Sequence, residues 1–85
     1  MERRILWVDD DRAVIDSMAG LLADHGIDIQ PAYTFAEASR IQHENALHYR
    51  AAVIDLRMGE HDGLELVELA QQNGIPVLLM TGYAT

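Results

Sequence analysis

Ala51-Ala-Val-Ile-Asp-Leu-Arg-Met-Gly-Glu-His-Asp-Gly63 is the stretch that decides how this chain folds. Its first half, Ala51 to Ile54, is a short apolar run with β-branched residues, the pattern of a strand buried on both faces of a parallel sheet. Asp55 closes that run, and a turn-rich segment follows with Gly59 and the Asp62-Gly63 pair. A carboxylate at the end of a core strand is costly to bury unless it meets a cation, a hydrogen-bond donor or a chemical partner. In open α/β sheets, sites are built at the carboxyl ends of the strands. Asp55 is therefore the first functional candidate.

Working outward, Ile5-Leu-Trp-Val8 is a second apolar run that breaks into Asp9-Asp10-Asp11. It predicts a buried strand with an acidic cluster at its carboxyl end. Arg12 to His25 has helical spacing, with Val14, Ile15, Met18, Leu21 and Leu22 on one stripe and Gly26 as the C′ residue. Ile27 to Ala32 alternates weakly and contains Pro31, which suits a short edge strand. Thr34 and Glu37 form a capping box for a helix that runs to about Leu47. Asp62 and Glu65 offer another N-cap and N3 pair, for a helix through Gln72 that Asn73-Gly74 ends. Ile75 to Met80 is the fourth strand. Strands alternating with single helices predict right-handed βαβ units and a parallel sheet. The expectation is one α/β domain over residues 1–85, with four strands and three helices.

Composition narrows the function classes. The chain has 85 residues, 49% of them apolar, and a formal net charge of −8. All six basic residues are arginines. An acidic balance argues against a nucleic-acid or anionic-membrane surface and suits a divalent cation. The absence of cysteine rules out disulfides and thiolate metal sites, in keeping with the cytoplasm. No signal peptide and no membrane-spanning apolar run is present.

Three strand ends carry polar groups: Asp9, Asp10 and Asp11, then Asp55, then Thr81. In a parallel sheet all of them face one edge. Carboxylates with backbone carbonyls and water make a hard oxygen site of the kind Mg²⁺ prefers. A carboxylate beside such a cation stays ionised and can attack phosphorus, while a threonine hydroxyl donates to the phosphoryl oxygens. Simpler roles compete for some of these residues. Asp11 reads as a plain helix N-cap, Thr81 also suits one, and Trp7 reads as core.

On these motifs the chain resembles a response-regulator receiver domain, the phosphoacceptor module of two-component signalling, with a flavodoxin-like (CheY-like) fold. The resemblance rests on Asp9-Asp10, on Asp55 in Val-Ile-Asp-Leu-Arg-Met, on Asp62-Gly63, and on Thr81 in Leu-Met-Thr-Gly-Tyr-Ala. It implies that Asp55 takes a phosphoryl group from a sensor histidine kinase. Asp9, Asp10, Asp55 and the Arg57 backbone carbonyl would hold Mg²⁺. Thr81 would be the switch hydroxyl, and Arg57 and Tyr83 would tune phosphoryl lifetime. The signal would pass to an output domain or downstream protein, and any activity would be limited to self-phosphorylation and self-dephosphorylation at Asp55. Two features depart from the family pattern. Gly59 stands where the family usually has proline. The sequence also stops before the family's fourth helix, fifth strand and fifth helix, which include its active-site lysine. A receiver truncated after strand four is expected to lose phosphotransfer efficiency and to self-associate through the exposed strand of Val77, Leu78, Leu79 and Met80.

Two rival classes remain. Asp9-x-Asp11 with Leu-Met-Thr81-Gly also resembles haloacid-dehalogenase-like phosphatases, with Asp9 as nucleophile and Asp11 as acid/base. A phosphorylation-independent interaction or oligomerising fragment is the other. No glycine-rich loop follows the first strand, which leaves a dinucleotide-binding module without support.

Overall fold

Two apolar runs, β1 (Arg4–Val8) and β3 (Tyr49–Asp55), lie side by side at the centre of a four-stranded parallel sheet. The outer positions go to β2 (Ile29–Ala32), beside β1, and to the last strand of the chain, Val77–Met80, beside β3. The computed structural model describes residues 4–45, 48–58 and 61–80. The order explains the composition of the runs. Central strands meet side chains on both faces and carry unbroken apolar stretches, Ile5–Val8 and Ala51–Ile54, whereas the Pro31-containing strand takes an edge, where a missing N–H breaks no ladder.

Alternation along the strands sorts the core into two layers. Leu6, Val8, Ala52 and Ile54 point to one face and pack with Ala38, Ile41, Leu66 and Ala70. These partners come from α2 (Phe35–Asn45) and α3 (Leu64–Gln72). Trp7 and Val53 point to the other face and meet Ile15 of α1 (Arg12–Ala23). Trp7 is core, as its place in the run predicts. Between α2 and α3, the buried Gln42 donates from Nε2 to the Leu66 carbonyl at 3.4 Å. This polar tie is invisible in a pattern of apolar spacing.

Helix ends largely follow their local signals. Asp11 caps α1, accepting from the N–H groups of Ala13 and Val14 at 3.0 and 3.3 Å. Regular α1 ends at Ala23, two residues before the predicted His25, because the last turn tightens into a Schellman closure. Gly26 N–H bonds Ala23 O, Ile27 N–H bonds Leu22 O, and Gly26 takes φ 75°. The same closure ends α3 around Gly74, at φ 73°. Thr34 Oγ1 accepts from Glu37 N–H at 3.1 Å, while Glu37 Oε2 accepts from Tyr33 N–H rather than from that of Thr34. Strands β2 and Val77–Met80 start two residues later than predicted, and β3 starts two residues earlier. The predicted end of α2 at Leu47 lies outside the described residues.

The start of α3 differs from prediction. Asp62 is not its N-cap; Gly63 is, in αR conformation and without a side-chain cap. Asp62 instead belongs to a small antiparallel ribbon formed by β4 (Arg57–Met58) and β5 (His61–Asp62), with Arg57 opposite Asp62 and Met58 opposite His61. The physical reason is that the chain must double back at the sheet edge before α3 can begin. Gly63 N–H closes that reversal on Leu56 O at 2.8 Å. The final strand, Val77–Met80, is β6; Leu78 and Leu79 are 64% and 41% exposed there.

Candidate phosphoacceptor and cation site

Register builds the site. Parallel pairing places Val8 opposite Ile54, so the next residue of each strand, Asp9 and Asp55, emerges at the same edge. Both are buried, at 4% and 8% exposure, whereas Asp10 faces solvent. Each of Asp9, Asp10 and Asp55 offers a carboxylate oxygen, and the three oxygens lie within 4.8 Å of one another. The sequence predicted this grouping, and the fold brings it together.

Each buried carboxylate is held by its own turn. Asp9 Oδ1 accepts from Asp11 N–H at 3.0 Å, and Asp55 Oδ1 accepts from Arg57 N–H at 3.1 Å. A donor two residues on is the geometry by which aspartate stabilises a local turn. Asp9 N–H is in turn fixed to Ala32 O at 3.1 Å, and Leu56 N–H to Met80 O at 2.8 Å. The edge of the sheet is thereby tied across all four strands.

Electrostatics leave the cluster unbalanced. Burial pushes the Asp9 carboxyl above its ordinary value of 3.8. The Asp11 N–H opposes that rise, while the negative charges of Asp55 and Asp10, and a hydrogen bond with Asp55, add to it. Three acidic oxygens this close, two of them on buried residues, fit a hard divalent cation, which would offset the charges.

Not every sequence candidate sits in this cluster. Arg57 is adjacent, contributing its N–H to Asp55, with its side chain exposed. Asp11 is committed to capping α1. Thr81 and Tyr83 lie outside the described residues, as does Gly59. One contributor escaped the sequence reading. The sequence reads Gly63 as half of a turn pair, yet in the fold it lies directly against the backbone of Asp55. A Cβ built there would overlap the Asp55 carbonyl oxygen and approach Leu56 Cα to 3.0 Å. The only signal in the sequence was glycine immediately before a helix, a pattern with many causes.

Two outcomes follow from this geometry. Gly63→Ala should destabilise the fold by about 1–3 kcal/mol through overpacking against backbone that cannot move aside, read as a lower urea midpoint. The second concerns pH. Because the folded state raises the Asp9 pKa, the stability that protonated Asp9 contributes is complete below 3.8 and is lost as pH rises through the raised folded value. In buffer with a chelator, Asp9→Asn should therefore unfold at higher urea than the parent at pH 7. The gap should close as the pH is lowered toward 3.8.

Comparison with known proteins agrees with this architecture. The family model for the response regulator receiver domain matches residues 5–85. The photosynthetic apparatus regulatory protein RegA of Rhodobacter capsulatus is 33% identical over 84 residues, covering 96% of this chain and 45% of that protein. The response regulator MprA of Mycobacterium sp. (strain KMS) is 36% identical over 83 residues, covering 95% of this chain and 35% of that one. The chain thus spans less than half the length of these relatives. Among solved structures, a CheY-like response regulator receiver domain protein from Methanospirillum hungatei JF-1 superposes with a TM-score of 0.82 at 33% identity. That superposition covers 100% of this chain and 68% of the other. The chain belongs to the response-regulator receiver domain family.

Proposed function

We propose that this receiver accepts a phosphoryl group on Asp55 from a sensor histidine kinase and passes the change to an output domain or downstream protein. One observation carries the reading: Asp55 ends a central strand with its carboxylate grouped with those of Asp9 and Asp10. In the transfer, an Asp55 carboxylate oxygen bonds to phosphorus as the phosphorus–nitrogen bond to the donor histidine breaks, and the imidazole leaves with the electron pair. Asp9, Asp10, Asp55 and the Arg57 carbonyl would hold Mg²⁺, which when bound supplies charge compensation for the transferred group. This chain's own residues do the rest. Arg57 N–H orients one oxygen of Asp55, and the buried Asp9 holds the position beside it. Thr81 serves as the switch hydroxyl, and Arg57 and Tyr83 tune how long the phosphoryl group persists. The protein acts in the cytoplasm as a phosphoacceptor, with no catalysis beyond its own phosphorylation and dephosphorylation.

The phosphatase alternative needs Asp11 as a free acid/base. That residue is spent on the α1 cap, and the family match lies elsewhere. The test is intact mass after incubation with a small acyl phosphate and Mg²⁺. The parent should gain one labile phosphate and Asp55→Asn none. A parent that gains nothing, or a variant that still gains it, overturns the assignment.

Self-association through β6 belongs to the same proposal. Among the described residues β6 pairs only with β3, and its Leu78 and Leu79 are exposed. Such an edge favours pairing with a second copy of the chain. Sedimentation velocity should show a concentration-dependent dimer that Leu78→Lys reduces; a monomer at all concentrations would rule it out.

A further inference from the structure

We infer that Arg12, stacked on Tyr33, is a positioning residue for the acidic cluster, holding the β1–α1 turn so that Asp10 is presented beside Asp9 and Asp55. The inference rests on the cation-binding reading of those three carboxylates. Arg12 places its guanidinium carbon 4.0 Å from the centroid of the Tyr33 ring. A guanidinium over an aromatic face is attracted by the ring quadrupole and stacks on it.

The two residues come from different connections at one sheet edge. Arg12 opens α1, immediately after the Asp11 cap, and Tyr33 immediately follows β2. Tyr33 is itself anchored. Its N–H donates to Glu37 Oε2 at 3.1 Å, and the half-buried residue packs against the Trp7, Ile15 and Val53 cluster. Its neighbour Ala32 accepts the Asp9 N–H. The turn from Asp9 to Arg12 is therefore tied to the β2 end twice, by the Asp9 backbone and by the Arg12 side chain. Asp10 lies between the two ties. It is the exposed member of the cluster, so burial does little to restrain it, and its direction follows from the turn that carries it.

Charge makes the idea testable by sign. A positive group at the rim of a cation site opposes binding through Coulomb repulsion. If Arg12 acted only through its charge, removing the guanidinium would tighten the site. If it acts by holding the turn, removal weakens the site despite the relief of repulsion.

The experiment is calorimetric titration of Mg²⁺ into the 85-residue chain and its variants, with urea unfolding in chelator alongside. Arg12→Met and Tyr33→Leu should each weaken Mg²⁺ binding about two- to fivefold, the size of an exposed cation–π contact. Tyr33→Phe keeps the ring face and should bind as the parent does. The double variant Arg12→Met/Tyr33→Leu should be no weaker than either single change, because both remove one contact. Unchanged or tighter binding in Arg12→Met overturns the positioning role, as do additive losses in the double variant. Lower urea midpoints with unaltered Mg²⁺ affinity would assign the stack to fold stability alone and equally overturn it. A parent that takes up no Mg²⁺ overturns the cation reading, and this role with it.

Discussion

Two carboxylates packed side by side at the ends of adjacent buried strands are the constraint on which this structure turns. The β1–β3 register delivers Asp9 and Asp55 to one edge, both nearly out of solvent. Burying a carboxylate is unfavourable, and a second one alongside adds repulsion. The molecule meets this with main-chain donors, one for each carboxylate and each supplied from two residues downstream. What those donors do not neutralise shows in the raised pKa of Asp9. A site built this way has a standing electrostatic demand that a cation can satisfy, and that demand belongs to the fold itself.

The connections leaving the sheet edge are shaped by the same constraint. After β1, the turn must donate to Asp9 and start a helix at once; Asp11 does both, giving its N–H to Asp9 and its carboxylate to the first turn of α1. After β3, the chain donates to Asp55 through Arg57, reverses through the β4–β5 ribbon and returns to press Gly63 on the Asp55 backbone. After β2, Ala32 steadies Asp9 and Tyr33 receives Arg12. Three loops remote in sequence converge on two buried residues. The helices beyond them are held mainly by apolar packing on either face of the sheet.

Residues whose partners lie nearby in the chain carry roles that the sequence shows. Asp11, Thr34 and Gly26 act through partners two or three residues away, and their roles were legible. The buried strands β1 and β3 and the edge strand β2 were legible too, because burial on two faces demands an unbroken apolar run while Pro31 suits only an edge; the apolar run of β6 carries no such mark of its edge position. Asp62 misled because Asp-x-x-Glu before an apolar run signals a cap wherever it occurs. Here the reversal after β3 claimed Asp62 for β5 and moved the cap to Gly63.

The sequence by itself determined the alternation of strands and helices, most helix ends, the burial of the central apolar runs, and which carboxylates would stand at strand ends. Those properties depend on side-chain periodicity and on hydrogen bonds that span a few residues. Tertiary structure alone decided that Asp9, Asp10 and Asp55 come within 4.8 Å, that Gly63 has no room for a side chain, that Gln42 bridges α2 and α3, and that Arg12 lies over Tyr33. Each of these joins segments about twenty or more residues apart, or in the case of Gly63 a reversal of the chain. Strand register and helix packing set such distances, and no local pattern of residues encodes them.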